Sequence, residues 1–440
     1  MAKKVRERMV SYATYGVVLC LVLKSIFSLR TYVMLSRSFD ADEGTMNGLK
    51  LNLVPITEVA SDVSPLDLFL RHAKEPVIVK GALHGQPLMR ADNVVEYVAQ
   101  VCRDSYIDTV VYSKEVSSWA GHTDEKLMRI KDYYASYVKN SSNEELRYAT
   151  SATFGMPFMC PALQHDMLVP GLASKPLPTG GAFRNYAQPT IFMGPAWSRS
   201  ELHIDMMLMP FWLGVYAGTK RFRVIAFEDN LEHFGVDRGG FGSGRILSPS
   251  GKALEIFDPD VQEFPELQDV RIYEGEVKAG DVIYVPSGAL HGILNTEATF
   301  AATSNSLWPP LTSHYAEVCT KSHFARRCKR MLKDTYLGAC EVDGLNPFDD
   351  STIEEFTKCA LHSKANIELG QARSYVDKKG FRDIFLWELF RFTSYEDFCL
   401  AVCSKYLELD YTKSKQGPEQ EAVCKRQCKV LGSRNGKPST

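Results

Sequence analysis

Between Leu146 and Trp308, apolar and polar positions alternate in short runs broken by turn residues, the period-two pattern of strands with one face buried. The runs are RYATSATF, QPTIFMGP, SELHIDMMLMPFWLGVYAGTKR, FRVIAF, VRIYEGEV, DVIYVP, GILN and TFAATSNSLW, and so many short strands read as a β-sandwich or barrel. Ahead of them the period lengthens. Ser64–Leu70 looks like a capped helix start, Pro76–Val79 a buried strand, Val94–Val101 a helix and Tyr106–Tyr112 a strand. Lys126–Val138 reads as a third helix, with Leu127, Ile130, Tyr134 and Val138 on one face. Gly235–Gly251 is too rich in glycine for a strand and reads as a loop, a candidate lid over the open end.

From His314 helical patterns return. Cys399 with Cys403, and Cys424 with Cys428, each place two sulfurs one turn apart on a helix face; Gly417-Pro418 opens the second helix and Gly432 closes it. Side by side and antiparallel, two such helices would be stapled by Cys399–Cys428 and Cys403–Cys424 disulfides. The competing reading, a four-cysteine zinc site, is disfavoured because zinc thiolate pairs are usually spaced by two residues on a knuckle.

The 440 residues, 45% of them hydrophobic, suffice for one large core and an appendage. A net charge of -2 gives no overall basic field for holding nucleic acid, and the run Arg326–Arg330 reads as a solvated helix face. At the N-terminus Lys3, Lys4, Arg6 and Arg8 precede an uncharged run, Met9–Leu23, with weaker apolar character as far as Leu29. This is read as a single-pass anchor, N-terminus cytoplasmic and the remaining chain in the secretory lumen or outside; a cleaved signal peptide is the alternative. Eight of the 11 cysteines lie between Cys319 and Cys428, as an oxidising compartment would favour. The expected division is residues 1–45 for tail, anchor and stalk, 46–312 for the β domain, and 313–440 for a helical, Cys-rich extension.

Candidate chemistry lies in the β region. His203 and Asp205, two apart on a strand, would project from one face, and His291 ends the strand-and-loop segment GDVIYVPSGALH. A His-x-Asp pair alone is ordinary strand composition. Two histidines with one carboxylate, however, are the facial triad of non-haem ferrous oxygenases, which leaves positions open for co-substrate and oxygen. Lys220 follows a Gly218-Thr219 turn and shares parity with Phe222 and Val224, so it can point inward while Arg221 and Arg223 face out; otherwise it is an exposed cation at a hairpin.

The segments FMGPAWSRSELHID, YAGTKRF, GDVIYVPSGALH and TEATFAATSNSLW resemble, in order and spacing, the Jumonji C (JmjC) oxygenases, most closely the branch containing arginine-demethylase and lysyl-hydroxylase proteins. The resemblance runs from about Val54 to Pro310. It implies a mostly β fold with flanking helices, a double-stranded β-helix (cupin-like jelly roll), to which the α-helical, Cys-rich extension is appended. It also implies Fe(II) ligation by His203, Asp205 and His291, and a clamp from Lys220 on the distal carboxylate of 2-oxoglutarate. Ser200 matches a hydroxyl on that carboxylate, Thr303 and Asn305 match polar co-substrate positions, and Tyr148 matches a tyrosine that shapes the pocket. Three positions depart from the pattern: Ala289-Leu290 replaces two aromatics before the distal histidine, and Leu213 replaces a polar amide.

The function expected is therefore a membrane-anchored dioxygenase using Fe(II), 2-oxoglutarate and O2. It would hydroxylate a protein side chain, demethylation being disfavoured by the expected lumenal address. Two other readings stand beside it, a non-catalytic cupin-fold binding module and an RNA-modifying oxygenase, the latter opposed by the near-neutral charge.

Overall fold

Strands from distant parts of the sequence interleave to build two facing sheets. The computed structural model describes residues 51–63, 68, 71–113, 119–139, 145–150, 159–167, 190–235, 246–305, 311–322, 403 and 416–434. All of these from Asn52 onward belong to one compact unit, Asn52–Thr440. The strands are β1 (Leu53–Pro55), β2 (Thr57–Ala60), β3 (Val77–Lys80), β4 (Tyr106–Tyr112), β5 (His122–Arg129), β6 (Arg147–Thr150), β7 (Thr190–Gly194) and β8 (Arg199–His203). They continue with β9 (Phe211–Ala217), β10 (Thr219–Ile225), β11 (Ile272–Lys278), β12 (Val282–Val285), β13 (Leu290–Asn295) and β14 (Thr299–Asn305).

Among the described residues one sheet has five strands in the order β1-β11-β10-β13-β8, and the other has nine, β2-β3-β12-β9-β14-β7-β6-β4-β5. From β7 to β14 the chain passes back and forth between the sheets, and the pairings within this stretch are antiparallel, as in a jelly roll. Inward residues of both sheets, among them Leu213, Val215, Phe222, Val224, Val277, Ile283 and Ala301, form the buried core between them. The architecture is the cupin-like, mostly β fold that the alternating pattern and the resemblance implied.

Helices flank the sheets. They are α1 (Val94–Val101), α2 (Ile130–Tyr133, continued by a π turn over Tyr134–Val138), α3 (Pro161–Asp166), α4 (Phe227–His233), α5 (Thr312–Lys321) and α6 (Gly417–Arg434). Asn93 caps α1 by accepting a hydrogen bond from the Glu96 backbone N–H at 3.0 Å, and Cys102 at its far end is bonded to Cys160, which precedes α3. Helix α6 lies against the outer layer: the Gln420 side chain accepts from the Tyr106 N–H and donates to the Met159 carbonyl. Cys403 is disulfide-bonded to Cys424 with Cα atoms 5.7 Å apart, while Cys428 Sγ lies 3.4 Å from Cys403 Sγ. Cys399 and the helix start at Ser64–Leu70, apart from the buried Leu68, fall outside the described residues.

Two expectations are corrected, and the outward-facing Arg223 proves to be buried. The helix expected from Lys126 begins only at Ile130, because Lys126–Arg129 completes β5 on the free side of β4, with Lys126 opposite Thr109 and Arg129 opposite Tyr106. A pairing demand thus overrides local period, and the exposed charges Asp124, Glu125 and Lys126 suit an edge strand. Arg223 does face outward but is not solvated: residues 254–257 cover it, its guanidinium donating to the Ile256 carbonyl at 2.7 Å and pairing with Glu274. Finally, the apolar run at Met9–Leu29 lies outside the described residues, and among the described residues no helix is long and apolar enough to cross a membrane. That finding overturns the expected single-pass topology and the lumenal localisation read from it. The uncharged run itself falls short of the about 20 residues a spanning helix needs.

Candidate metal and co-substrate centre

The β8–β13 pairing assembles the site. His203 and His291 are direct cross-strand partners, with ring centroids 4.2 Å apart, and Asp205 follows two residues after His203. One nitrogen from each imidazole and one carboxylate oxygen lie within 4.8 Å of one another. Each histidine turns Nδ1 to a backbone carbonyl, Glu201 O at 2.7 Å and Ala289 O at 3.2 Å, which leaves both Nε2 atoms directed at Asp205, 3.6 and 3.8 Å from its Oδ1. Two bonds of about 2.1 Å span about 3.0 Å at a right angle and about 4.2 Å in line, so these separations fit donors to one ion.

Burial pushes the imidazole pKa of His203 down to about 3, His291 adding to the effect, and burial likewise takes His291 down to about 4. Both imidazoles are therefore neutral at ordinary pH, the form that a metal ion would require. Burial raises the pKa of Asp205, opposed by His203 and by the Asn305 side chain, whose Nδ2 donates to Asp205 Oδ2 at 2.6 Å. Directly after Asp205, Met207 and Leu208 both adopt left-handed backbone, with φ of 60° and 58°. Non-glycine residues in that region cost about 1–3 kcal/mol each, and the turn is held from outside: the Tyr315 hydroxyl donates to Met207 O at 2.9 Å and the Gly288 N–H to Leu208 O at 3.0 Å.

A bulge in β8 sets which residues share this interior. The pairing with β13 shifts between His291/His203 and Ile293/Ser200, so Ser200 and His203, three apart, share the inner side, while the Glu201 carboxylate turns outward to accept from the Ile256 N–H. Ser200 Oγ is 3.1 Å from His122 Nε2. Lys220 is fully buried and stands opposite Asn295 in the β10–β13 ladder; its Nζ donates to Asn295 Oδ1 at 2.7 Å and to the Tyr148 hydroxyl at 3.1 Å. Burial pushes its pKa down to about 7. Gly194 permits this crowding: a Cβ there would lie 2.4 Å from Ser198 Oγ and 2.7 Å from the Tyr148 ring.

The expected residues thus fall into two joined groups. His203, Asp205, His291 and Asn305 surround one point, and Lys220 with Tyr148 forms a buried cationic pocket that reaches Ser200 through His122. Thr303 is set apart, its hydroxyl donating to the Trp212 carbonyl at 2.7 Å. Leu213 joins the apolar core, so apolar packing replaces the polar amide of the resemblance. Sequence reasoning missed Asn295 and His122. Asn295 was within reach, since it continues the inward parity of His291 and Ile293; His122 precedes a segment misread as helix and carried no signal.

A double-stranded β-helix with two imidazoles and a carboxylate converging between its sheets defines a cupin-type fold with a candidate metal centre. The model of the cupin-like domain family matches residues 68–313, and the chain belongs to that family. It is similar to lysine-specific demethylase JMJ21 of Arabidopsis thaliana, 27% identical over 256 residues, 57% of this chain and 24% of the relative. Lysine-specific demethylase 8 of Xenopus tropicalis is 21% identical over 231 residues, 52% of this chain and 47% of the relative. Arginine-specific demethylase JMJ22 of A. thaliana is 29% identical over 117 residues, 26% of this chain and 22% of the relative. The chain therefore spans less than half the length of each of these relatives.

Proposed function

We propose that this chain is an Fe(II)- and 2-oxoglutarate-dependent oxygenase that oxidises a carbon of a protein side chain. The observation that carries the reading is the joint presence of the His203, Asp205 and His291 donor set and a buried lysine whose hydrogen-bond partners among the described residues, Tyr148 and Asn295, are both neutral. A buried ammonium without a carboxylate invites one from a ligand. In this reading His203, Asp205 and His291 hold the ion, and Asn305 fixes the orientation of the Asp205 carboxylate. Lys220 clamps the distal carboxylate of 2-oxoglutarate, with Tyr148 and Asn295 steering its Nζ, and Ser200 and His122 close the pocket wall. The bound ferrous ion and co-substrate would supply activation of O2, coupled to decarboxylation of 2-oxoglutarate to succinate.

Hydroxylation of an ordinary side-chain carbon and removal of an N-methyl group share their first step. A hydroxylated N-methyl carbon departs as formaldehyde, whereas other carbons retain the oxygen. With the lumenal address overturned, the argument that set demethylation aside no longer stands, and the printed names of the relatives favour methylated lysine or arginine as substrates to try first. The test incubates the full chain, ferrous iron and 2-oxoglutarate with methyl-lysine, methyl-arginine and unmodified peptide libraries. Formaldehyde release from the methylated peptides marks a demethylase, and products heavier by one oxygen mark a hydroxylase. Neither product, with 2-oxoglutarate unconsumed, contradicts the proposal.

A further inference from the structure

A second cluster of ligating side chains lies on the outer side of the turn that follows Asp205. Glu228 in the first turn of α4, and His314 and Glu317 spaced three apart on one face of α5, present one imidazole nitrogen and two carboxylate oxygens within 4.8 Å of one another. His314 is 4% exposed, and neither of its ring nitrogens has a hydrogen-bond partner among the described residues. An imidazole so enclosed would ordinarily find a donor or acceptor, and its orphaned nitrogens sit beside two carboxylates.

The cation now in the mouth of this cluster is the Lys74 ammonium, 2.7 Å from Glu317 Oε2 and 3.4 Å from Glu228 Oε1, while Lys321 takes Glu317 Oε1 at 2.8 Å. The Lys74 side chain is 51% exposed, so its pairs are solvent-screened and easily exchanged. It satisfies the carboxylates but makes no hydrogen bond to either imidazole nitrogen of His314. From this we infer that Glu228, His314 and Glu317 form a second divalent-cation site, of the zinc class, in which the metal displaces Lys74 and clips α4 to α5. An imidazole and two carboxylates suit zinc, and modest rotation of the glutamates brings the three donors to a common bond length of about 2.1 Å. Burial also keeps the His314 imidazole neutral at ordinary pH, its pKa pushed down to about 4.

The position gives the clip a consequence. Tyr315, next to His314, holds Met207 of the left-handed turn after Asp205. Helices α4 and α5 also enclose the turn before His291, since a Cβ on Gly288 would meet Phe227 at 2.7 Å and Val318 at 2.8 Å. Zinc at the second site would brace both approaches to the first.

The experiment is zinc binding to the full chain by equilibrium dialysis, with thermal melting alongside. The wild type should take up two equivalents, His203→Ala one, and Glu228→Gln one. Because Glu228 is partly exposed, its isosteric replacement keeps the fold; His314→Ala should behave the same way, each ligand loss weakening the second equivalent by at least the 10–100-fold that outer-shell partners cost. Lys74→Ala should tighten it several-fold, and the rise in melting temperature caused by the second equivalent should vanish in Glu228→Gln. One equivalent in the wild type that His203→Ala removes, or two equivalents indifferent to Glu228→Gln and Lys74→Ala, overturns the site and leaves the first centre untouched. Loss of binding confined to the first centre would instead leave this inference standing.

Discussion

At the scale of single residues, Lys220 carries the sharpest consequence. Its pKa, pushed down to about 7 by burial, means that the unliganded protein loses this charge as pH rises through neutrality, whereas a bound carboxylate requires the ammonium. Binding of 2-oxoglutarate must then take up a proton above about pH 7, and its affinity should fall by up to about tenfold per pH unit there. Calorimetric titration between pH 6 and 9 checks this; Lys220→Arg, always charged, should flatten the profile, and a wild-type profile equally flat would refute the assignment. Lys220→Met should cost about 1.5–3 kcal/mol of charge-assisted bonding, which is about ten- to a hundredfold in affinity. On the metal side Asn305 donates to Asp205 Oδ2 at 2.6 Å, so Asn305→Ala should weaken ferrous-ion binding by about 10–100-fold, read by competition with a chromogenic chelator.

At the scale of elements, period-two parity carried most of what was legible. It turned Lys220 inward with Phe222 and Val224, all three fully buried; Asp205, by contrast, lies past the end of β8 at His203, beyond the reach of strand parity. Parity failed where geometry departs from a regular strand. The β8 bulge puts Ser200 on the side of His203 despite odd spacing, and no local pattern announces a bulge. The segment Lys126–Arg129 satisfied a helical period as well as an extended one, and only the need of β4 for a partner decided between them. The Cys102–Cys160 link, joining the end of α1 to the start of α3, was equally invisible, because 58 residues of sequence separate two elements that fold side by side. Cys102→Ser should lower stability by about 2–5 kcal/mol in a denaturant melt and leave ferrous-ion affinity unchanged, since neither cysteine touches the metal donors.

At the scale of the whole molecule, the interleaved topology brings the two imidazoles together although 88 positions separate them in sequence. Residues from β6, β8, β10, β13 and β14 meet in one interior only when both sheets are complete, so ligand binding should stabilise the fold as a unit. Ferrous iron with 2-oxoglutarate, each at about a hundred times its Kd, should add about 2.7 kcal/mol per ligand and raise the melting temperature in a single transition. The topology also explains why the sequence named the family but not the substrate: the donor set is fixed by strands, whereas surfaces around its mouth depend on loops whose pattern carries no such period.

The most direct measurement is calorimetric titration of 2-oxoglutarate, under nitrogen, into the 440-residue chain with and without ferrous iron. One equivalent should bind to the iron-loaded wild type, with binding much weakened in the iron-free protein and in His203→Ala. Equal affinity with and without iron, or binding untouched by His203→Ala, would contradict a centre built from His203, Asp205 and His291.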